Sequence, residues 1–211
     1  MKTLIIAAGL SLAVPGLAFC ANEPAPAMSS VFSGAYKMDK THASLTWKVQ
    51  HMGLAYYTAR FTDFDIDLNF KAAHPEKSTL SAVINPASVR TDYPYPEKED
   101  FDKVLANDAK WFNAGAFPKI TFTATGISLT SDHTGTVTGD LNFLGVTKPV
   151  TLNVTLDGSH EKRPFAGVPT LGFSAKTTIK RSDWGFKTYA PKIVGDEVQI
   201  IIEAEFIKPK D

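Results

Sequence analysis

Residues 150–157 read VTLNVTLD, a run in which apolar and polar side chains alternate without interruption. Val150, Leu152, Val154 and Leu156 are its apolar members. Successive side chains of a β-strand point to opposite faces, so this run predicts a strand with one apolar face and one solvated face. Strands of a parallel sheet are covered on both faces and would be apolar throughout, so the alternation favours an antiparallel sheet.

The same alternation recurs from about residue 34 onward, in segments 43–50, 64–70, 80–84, 120–125, 140–143, 173–179 and 198–206. Turn-forming sequences separate these segments, for example SDHTG at 131–135 and LGVT at 144–147. Phe61 and Phe64 break the period, and they predict a β-bulge that bends their strand if both face inward. The chain therefore predicts eight or nine strands.

One segment has helical rather than strand character. Pro96 suits a first helical turn, and the acidic residues at 97, 99 and 100 suit the positive end of a helix dipole. Phe101, Val104 and Leu105 then recur at helical spacing. We predict one helix over residues 96–113. Strands with one apolar face each can form either a two-sheet sandwich or a closed barrel, and the residues alone leave this choice open.

The first 21 residues predict a secretory signal peptide, with Lys2 followed by a short apolar run that Pro15 and Gly16 end. The run is shorter than the roughly 20 residues that a membrane-spanning helix needs. Phe19 is large for the position before a lipidated cysteine, so we expect an unanchored periplasmic protein rather than one lipidated at Cys20. Residues 22–32 predict a flexible Pro/Ala/Ser leader, and residues 33–211 the folded domain.

Composition and motifs exclude several functions. The 22 basic and 22 acidic residues balance, which argues against a nucleic-acid-binding protein. The single cysteine cannot form an internal disulfide or a thiolate zinc site. His42 and His51 could approach each other across a strand pair, but no third ligand is evident, so we expect no metal and no cofactor. Neither a GxSxG motif nor a cysteine–histidine pair points to a catalytic residue, so we expect no enzyme.

Five motifs, in order, resemble the YceI-like family: residues 36–51 (YKMDKTHASLTWKVQH), 61–68 (FTDFDIDL), 111–122 (WFNAGAFPKITF), 139–150 (GDLNFLGVTKPV) and 181–186 (RSDWGF). One stretch departs from the family pattern, because residues 95–100 read YPEKED where the family usually has an arginine-containing segment. The resemblance covers about residues 34–207. It implies an all-β fold: an extended lipocalin-like antiparallel barrel of about eight strands with one inserted helix.

The resemblance also implies an exported, non-catalytic carrier whose barrel cavity holds a polyisoprenoid, quinone-like or fatty-acyl amphiphile. On the residues alone, a solid core is the better interpretation of the apolar faces, and the resemblance reverses this preference. The residues then expected to line the cavity are the apolar members of the alternating pairs: Trp47, Val49, Phe64, Ile66, Leu68, Leu80, Ile120, Phe122, Leu141, Phe143, Leu152, Val154, Phe173, Ile179, Ile200 and Ile202.

The headgroup is expected at the cavity rim, where amphipathic or cationic side chains lie near strand ends: His51, Tyr93, Tyr95, Arg181 and Trp184. Tyrosine and tryptophan suit a wet mouth, and an arginine can meet a phosphate. A purely structural role, in which these side chains only pack at the rim of the barrel, explains their presence there equally well. The alternative functions are a packed-core periplasmic stress or interaction protein without ligand and, third, a lipid-modifying hydrolase. The sequence does not decide whether the protein forms a homodimer or which partner would deliver the ligand.

Overall fold

The structure, a computed structural model, describes residue 27 and residues 31–164 and 167–210. The predicted signal peptide, with Cys20, and most of the predicted leader lie outside these residues. At the described end of the leader, Val31 is buried in the core, and the Tyr36 hydroxyl donates to the Phe32 carbonyl at 2.9 Å. Within the described chain, no helix combines the length and the apolar character needed to cross a bilayer.

The described residues form strands β1 (Gly34–His51), β2 (Ala55–Phe61), β3 (Phe64–Phe70), β4 (Thr79–Ile84), β5 (Val89–Arg90), β6 (Ile120–Leu129), β7 (Thr134–Phe143), β8 (Val146–His160), β9 (Thr170–Lys180) and β10 (Val194–Ile207). Helix α1 (Phe101–Asn107) lies between β5 and β6. Leu144 and Gly145 both adopt positive φ, +49° and +76°, which is the backbone of the two-residue turn that joins twisted strands such as β7 and β8.

The strands pair in the order β10-β9-β8-β7-β6-β4-β3-β1-β2-β5, all antiparallel, and β10 also pairs with β1. This last pairing closes the sheet into a barrel and confirms the predicted fold class. Because β2 and β3 pair with successive parts of β1, they act as two halves of one bent strand. With the two-residue β5 set aside, the barrel wall has about eight strands, as the sequence predicts.

Several irregularities interrupt the wall, and two of them involve β1, β2 and β3. Phe61 ends β2 and Phe64 begins β3, and both are buried, so a two-residue break between two strands stands where the sequence predicts a β-bulge. In β1, the register against β10 shifts between Met38 and Ala43, so that residues 39–42 bulge outward opposite β10. Such bulges increase the local twist and let a long strand curve around a barrel.

The helix is shorter than predicted. Residues 96–98 form a turn instead, and the Asp100 carboxylate caps α1 by accepting from the Lys103 backbone N–H at 3.1 Å. At the other end, the Asp108 side chain accepts from the Lys110 N–H at 2.8 Å. Aspartate side chains that bond nearby backbone in this way compete with helix continuation. The residues after α1 fold back, with the Phe112 N–H donating to the Leu105 carbonyl at 3.0 Å.

Candidate functional site: an apolar cavity inside the barrel

The barrel encloses a cavity of about 670 Å³. Its volume falls within the range of roughly 300–1,000 Å³ that is typical of small-molecule sites. Every residue expected to line a cavity does line it: Trp47, Val49, Phe64, Ile66, Leu68, Leu80, Ile120, Phe122, Leu141, Phe143, Leu152, Val154, Phe173, Ile179, Ile200 and Ile202. Their placement inside the barrel is an observation, and their contact with a ligand stays a prediction.

Helix α1, the turn after it and the β9–β10 connection cover one end of the barrel, and we call them the roof. The roof adds lining residues that the strand pattern did not predict. Phe101 and Leu105 come from α1, Phe112 from the turn after it, and Phe186 from the connection between β9 and β10. The Phe112 ring lies 5.3 Å from that of Phe61 and 5.6 Å from that of Phe186, in edge-to-face contacts. Aromatic pairs favour such geometry. The helical spacing of Phe101 and Leu105 marked one face of α1 as apolar, but not which part of the barrel it covers.

Polar contacts hold the roof on the barrel. Asp102 of α1 accepts from the backbone N–H of Thr91 at 2.9 Å and from its hydroxyl at 2.7 Å. Thr91 is buried and directly follows β5, so the pair attaches α1 to the end of the sheet. Buried hydrogen bonds to a carboxylate are stronger than neutral ones. The roof therefore has a fixed position above the cavity.

Beside the roof, the cavity reaches the surface among exposed apolar side chains. Tyr189 and Ile193 line the cavity and are also exposed. The turn between β1 and β2 lies next to them, because the Met52 N–H donates to the Ile193 carbonyl at 2.8 Å. Leu54 in that turn is 83% exposed. Apolar side chains that meet at a cavity mouth in this way are typical of ligand-entry or interaction surfaces.

Two of the five predicted rim residues lie at this mouth end. His51 ends β1 and lines the cavity, as does Tyr93. Tyr95 does not line it: its ring lies 5.9 Å from that of Tyr93, and Lys98 Nζ lies 4.2 Å from its centroid on the exposed side. Tyr95 therefore supports Tyr93 from outside rather than facing the cavity.

Arg181 touches the cavity, but its guanidinium is committed to the backbone. It is only 3% exposed and donates to the carbonyls of Gly195 at 2.8 Å, Phe186 at 3.1 Å, and Thr188 and Val194 at 2.8 Å each. Burial lowers the pKa of Arg181, because desolvation disfavours its charged form. These four acceptors leave little of the five-donor guanidinium for a phosphate, so the structure assigns Arg181 to organising the β9–β10 connection rather than to the predicted headgroup rim.

Trp184 likewise lies away from the predicted rim. It is buried, it does not line the cavity, and its indole N–H donates to the Leu141 carbonyl at 3.2 Å. A buried indole normally finds such a partner. Trp184 therefore attaches the turn after β9 to the sheet, and no part of it faces a ligand in the cavity.

His42 and His51, which the sequence allowed to meet across a strand pair, do not approach each other, because both lie on β1, nine residues and so roughly 30 Å apart. The structure instead brings together Asp39, His42 and Glu205, whose ligand atoms lie within 4.8 Å of one another on the barrel exterior. Arg163 lies among them, with Nη1 2.6 Å from Asp39 and Nη2 3.2 Å from Glu205 and 3.0 Å from His42 Nδ1. The guanidinium therefore already supplies the positive charge at this cluster.

Comparison with known proteins agrees with this architecture. Residues 36–206 match the YceI-like domain. A UPF0312 protein of Pseudomonas fluorescens (strain SBW25) is 35% identical over 182 residues, 85% of this chain and 90% of the relative.

Among solved structures, BcnA of Burkholderia cenocepacia superposes with a TM-score of 0.68 at 24% identity, covering 80% of this chain and 98% of BcnA. A polyisoprenoid-binding domain from Saccharophagus degradans, implicated in plant cell wall breakdown, superposes with a TM-score of 0.55 at 16% identity, covering 82% and 98%. At these identities the superpositions show the shared barrel fold. The match over most of the chain shows that this protein belongs to the YceI-like family.

Proposed function

We propose that this protein is a periplasmic carrier that buries the tail of an isoprenoid or other long-chain amphiphile in its barrel and does not act as an enzyme. The observation that carries the proposal is the cavity of about 670 Å³, whose walls are the apolar faces of the strands. A protein that functions only through surface contacts gains nothing from leaving such a volume inside, because filled cores are more stable.

The fold comparison supports the same class of ligand. The structural neighbour from Saccharophagus degradans is named as a polyisoprenoid-binding domain, and its barrel superposes over most of this chain. A polyisoprenoid tail is apolar along its whole length, which suits a cavity lined mostly by apolar side chains. Export by the signal peptide predicted at residues 1–21 would place this carrier between two membranes, where a tail must be shielded from water.

Burial of a tail predicts a characteristic dependence on tail length. Each methylene that enters the cavity contributes about 0.8 kcal/mol, so the Kd should fall up to about fourfold per added carbon. Once the cavity is full, further carbons protrude and the gain should stop. Titration with alkyl chains of graded length and one constant headgroup measures this curve.

Native mass spectrometry of the purified protein provides an independent test. A lipid that co-purifies and leaves on solvent extraction supports the carrier. A protein that is purified empty and whose affinity ignores tail length would contradict it and would favour the interaction protein. Turnover of an added lipid would instead favour the lipid-modifying enzyme.

A further inference from the structure

Four exposed apolar side chains lie together at the mouth of the cavity. Met52 and Leu54 belong to the turn between β1 and β2, and Tyr189 and Ile193 belong to the connection between β9 and β10. Their exposed fractions range from 45% for Ile193 to 83% for Leu54. We call these four residues the mouth patch. Proteins in water rarely expose contiguous apolar side chains without a function, and such a cluster marks a surface for a partner or a membrane.

Backbone hydrogen bonds join the two halves of the mouth patch. The Met52 N–H donates to the Ile193 carbonyl at 2.8 Å, and the Ile193 N–H donates to the Tyr189 carbonyl at 3.1 Å. The Leu54 N–H donates to the His51 carbonyl at 3.0 Å and closes the β1–β2 turn. Two segments far apart in the sequence therefore hold the patch at one end of the barrel.

Three exposed lysines lie beside the mouth patch. Lys187 and Lys192 belong to the β9–β10 connection that carries Tyr189. Lys110 lies next to this connection, because the Thr188 hydroxyl donates to the Lys110 carbonyl. None of the three ammonium groups forms an ion pair with a carboxylate of the described chain. Their charges are therefore available to an anionic surface.

The surrounding sequence makes this end of the barrel locally basic. Residues 50–58, 109–122 and 186–195 contain no aspartate or glutamate, although the chain as a whole has as many acidic as basic residues. Glu99 is the one carboxylate of the described cavity lining, and it lies before α1 rather than in either segment of the patch. The mouth patch therefore combines exposed apolar side chains with neighbouring positive charges.

This combination favours a bilayer over a protein partner. Leucine, isoleucine and methionine side chains can enter the acyl region, tyrosine suits the level of the headgroups, and lysine reaches lipid phosphates with its ammonium. Protein interfaces, by contrast, are depleted in lysine. The cavity opens within the same surface, since Tyr189 and Ile193 also line the cavity. A tail can then pass from a bilayer into the barrel without crossing water.

We propose that the mouth patch docks on the surface of an anionic bilayer and places the cavity mouth against the lipid from which the tail is drawn. The apolar side chains enter the bilayer surface, and the lysines meet its anionic headgroups. This inference rests on the proposed carrier function for its purpose. Docking and tail uptake are separate measurements, so that either can fail without the other.

The first measurement is flotation of the protein with vesicles of phosphatidylcholine, alone or mixed with phosphatidylglycerol. Leu54→Ser removes the most exposed apolar side chain of the patch. Its matched control is Phe32→Ser, because Phe32 is also exposed and lies at the opposite end of the barrel, two residues before β1. All variants are compared within the same exported protein, so any lipid on Cys20 contributes equally to each. Unfolding midpoints check that each variant is folded.

A second pair of variants tests the charges. Lys187→Gln combined with Lys192→Gln removes two positive charges beside the mouth patch. Lys71→Gln combined with Lys162→Gln is the matched control, because both lysines are exposed and follow the ends of β3 and β8 at the opposite end of the barrel. The net charge of the protein changes equally in the two double variants.

We expect the wild type to bind the mixed vesicles more tightly than phosphatidylcholine alone, and to lose that preference at high salt. Leu54→Ser should weaken binding to the mixed vesicles about tenfold, because one leucine no longer leaves water. The double variant at Lys187 and Lys192 should weaken it about twentyfold, or about fivefold per lysine, and should change binding to phosphatidylcholine little. Both control proteins should bind as the wild type does.

The second measurement is uptake of tritiated geranylgeraniol, an uncharged isoprenoid alcohol. In solution, the wild type and Leu54→Ser should bind it equally, because Leu54 does not line the cavity. From mixed vesicles, Leu54→Ser should extract it about tenfold more slowly, because docking precedes transfer.

The other outcomes separate the docking from the carrier function. A wild type that takes up geranylgeraniol in solution but does not float with mixed vesicles would overturn the docking and leave the carrier in place. Equal flotation of all variants would overturn the role of the mouth patch. A dimer that Leu54→Ser dissociates, in a protein that ignores vesicles, would assign the patch to a second copy instead. A protein that floats as expected but takes up no geranylgeraniol would contradict the carrier function alone.

Discussion

Arg163 Nη1 lies 2.6 Å from Asp39 Oδ2, and this ion pair joins the outward bulge of β1 to the connection between β8 and β9. Both side chains are mostly buried. Hydrogen bonds from the Thr41 hydroxyl, at 2.6 Å, and from Arg163 hold the pKa of Asp39 well below its usual range. The bulge is therefore fixed by a carboxylate that stays ionised.

This relationship predicts how acid affects stability. In the unfolded chain Asp39 titrates near its ordinary pKa of about 3.9, and in the folded protein it titrates lower. Its stabilisation is therefore complete above about pH 5 and is lost as the pH falls further. We expect Asp39→Asn to lower the free energy of unfolding at pH 7 by about 1–3 kcal/mol, and this loss to shrink toward pH 3.

Urea unfolding of both proteins between pH 7 and pH 3 measures the difference. Asp132→Asn is the matched control, because Asp132 is exposed in the β6–β7 turn. A stability difference that stays constant across this pH range would show that Asp39 does not act through its charge.

The commitment of Arg181 to backbone carbonyls predicts a role in stability. Arg181→Lys should unfold at lower urea concentration, with a loss of about 3 kcal/mol or more, because an ammonium cannot replace a planar guanidinium that meets four acceptors. Lys180→Ala, at the exposed neighbouring position, should change stability by less than about 0.5 kcal/mol. A stable Arg181→Lys protein that has lost affinity only for phosphorylated amphiphiles would instead support the headgroup role expected from the sequence.

Gly139 of β7 packs directly against Phe122, an aromatic residue of the cavity lining. A Cβ on Gly139 would lie 2.4 Å from Phe122 Cζ and 2.5 Å from the Thr123 carbonyl oxygen. Since backbone cannot move as a flexible side chain does, we expect Gly139→Ala to cost about 1–3 kcal/mol of stability. Gly126→Ala provides the matched control, because a Cβ there meets nothing within 4 Å. Equal unfolding midpoints for the two variants would show that β7 and Phe122 relax freely.

The sequence predicts the barrel and its lining because both depend on the alternation of apolar and polar side chains along each strand. Val150, Leu152 and Val154 alternate with polar neighbours, and the closed sheet turns that alternation into an inside and an outside. The sequence could not show whether the inside is solid or hollow, since this depends on how far opposite walls stand apart. The resemblance to the YceI-like family was the reason for predicting a hollow interior.

The roof and the rim were harder to predict because they depend on contacts between distant segments. Phe112 reaches the cavity only because the chain folds back after α1, and Arg181 is buried only because residues 186–195 wrap around it. The charge of Arg181 and its place near a strand end suggested a contact with phosphate. In the structure, its guanidinium N–H groups donate to backbone carbonyls of the residues that surround it.

Filling the cavity from its wall tests whether a tail is buried inside the barrel. Ala175 on β9 lines the cavity between Val154 and Ile202, whereas the next residue, Lys176, is exposed on the barrel exterior. Ala175→Trp should take up space that the end of a long tail would otherwise occupy. Lys176→Trp adds the same side chain outside and is the matched control.

For Ala175→Trp we expect the curve of affinity against tail length to flatten several carbons earlier than for the wild type. A long tail that loses two or three buried methylenes should bind about thirtyfold more weakly, while short tails bind as before. Lys176→Trp should reproduce the wild-type curve. Since a larger side chain can also strain the wall, unfolding midpoints are measured alongside. An Ala175→Trp protein of wild-type stability whose curve is unchanged would place the tail outside the barrel and would contradict the carrier mechanism.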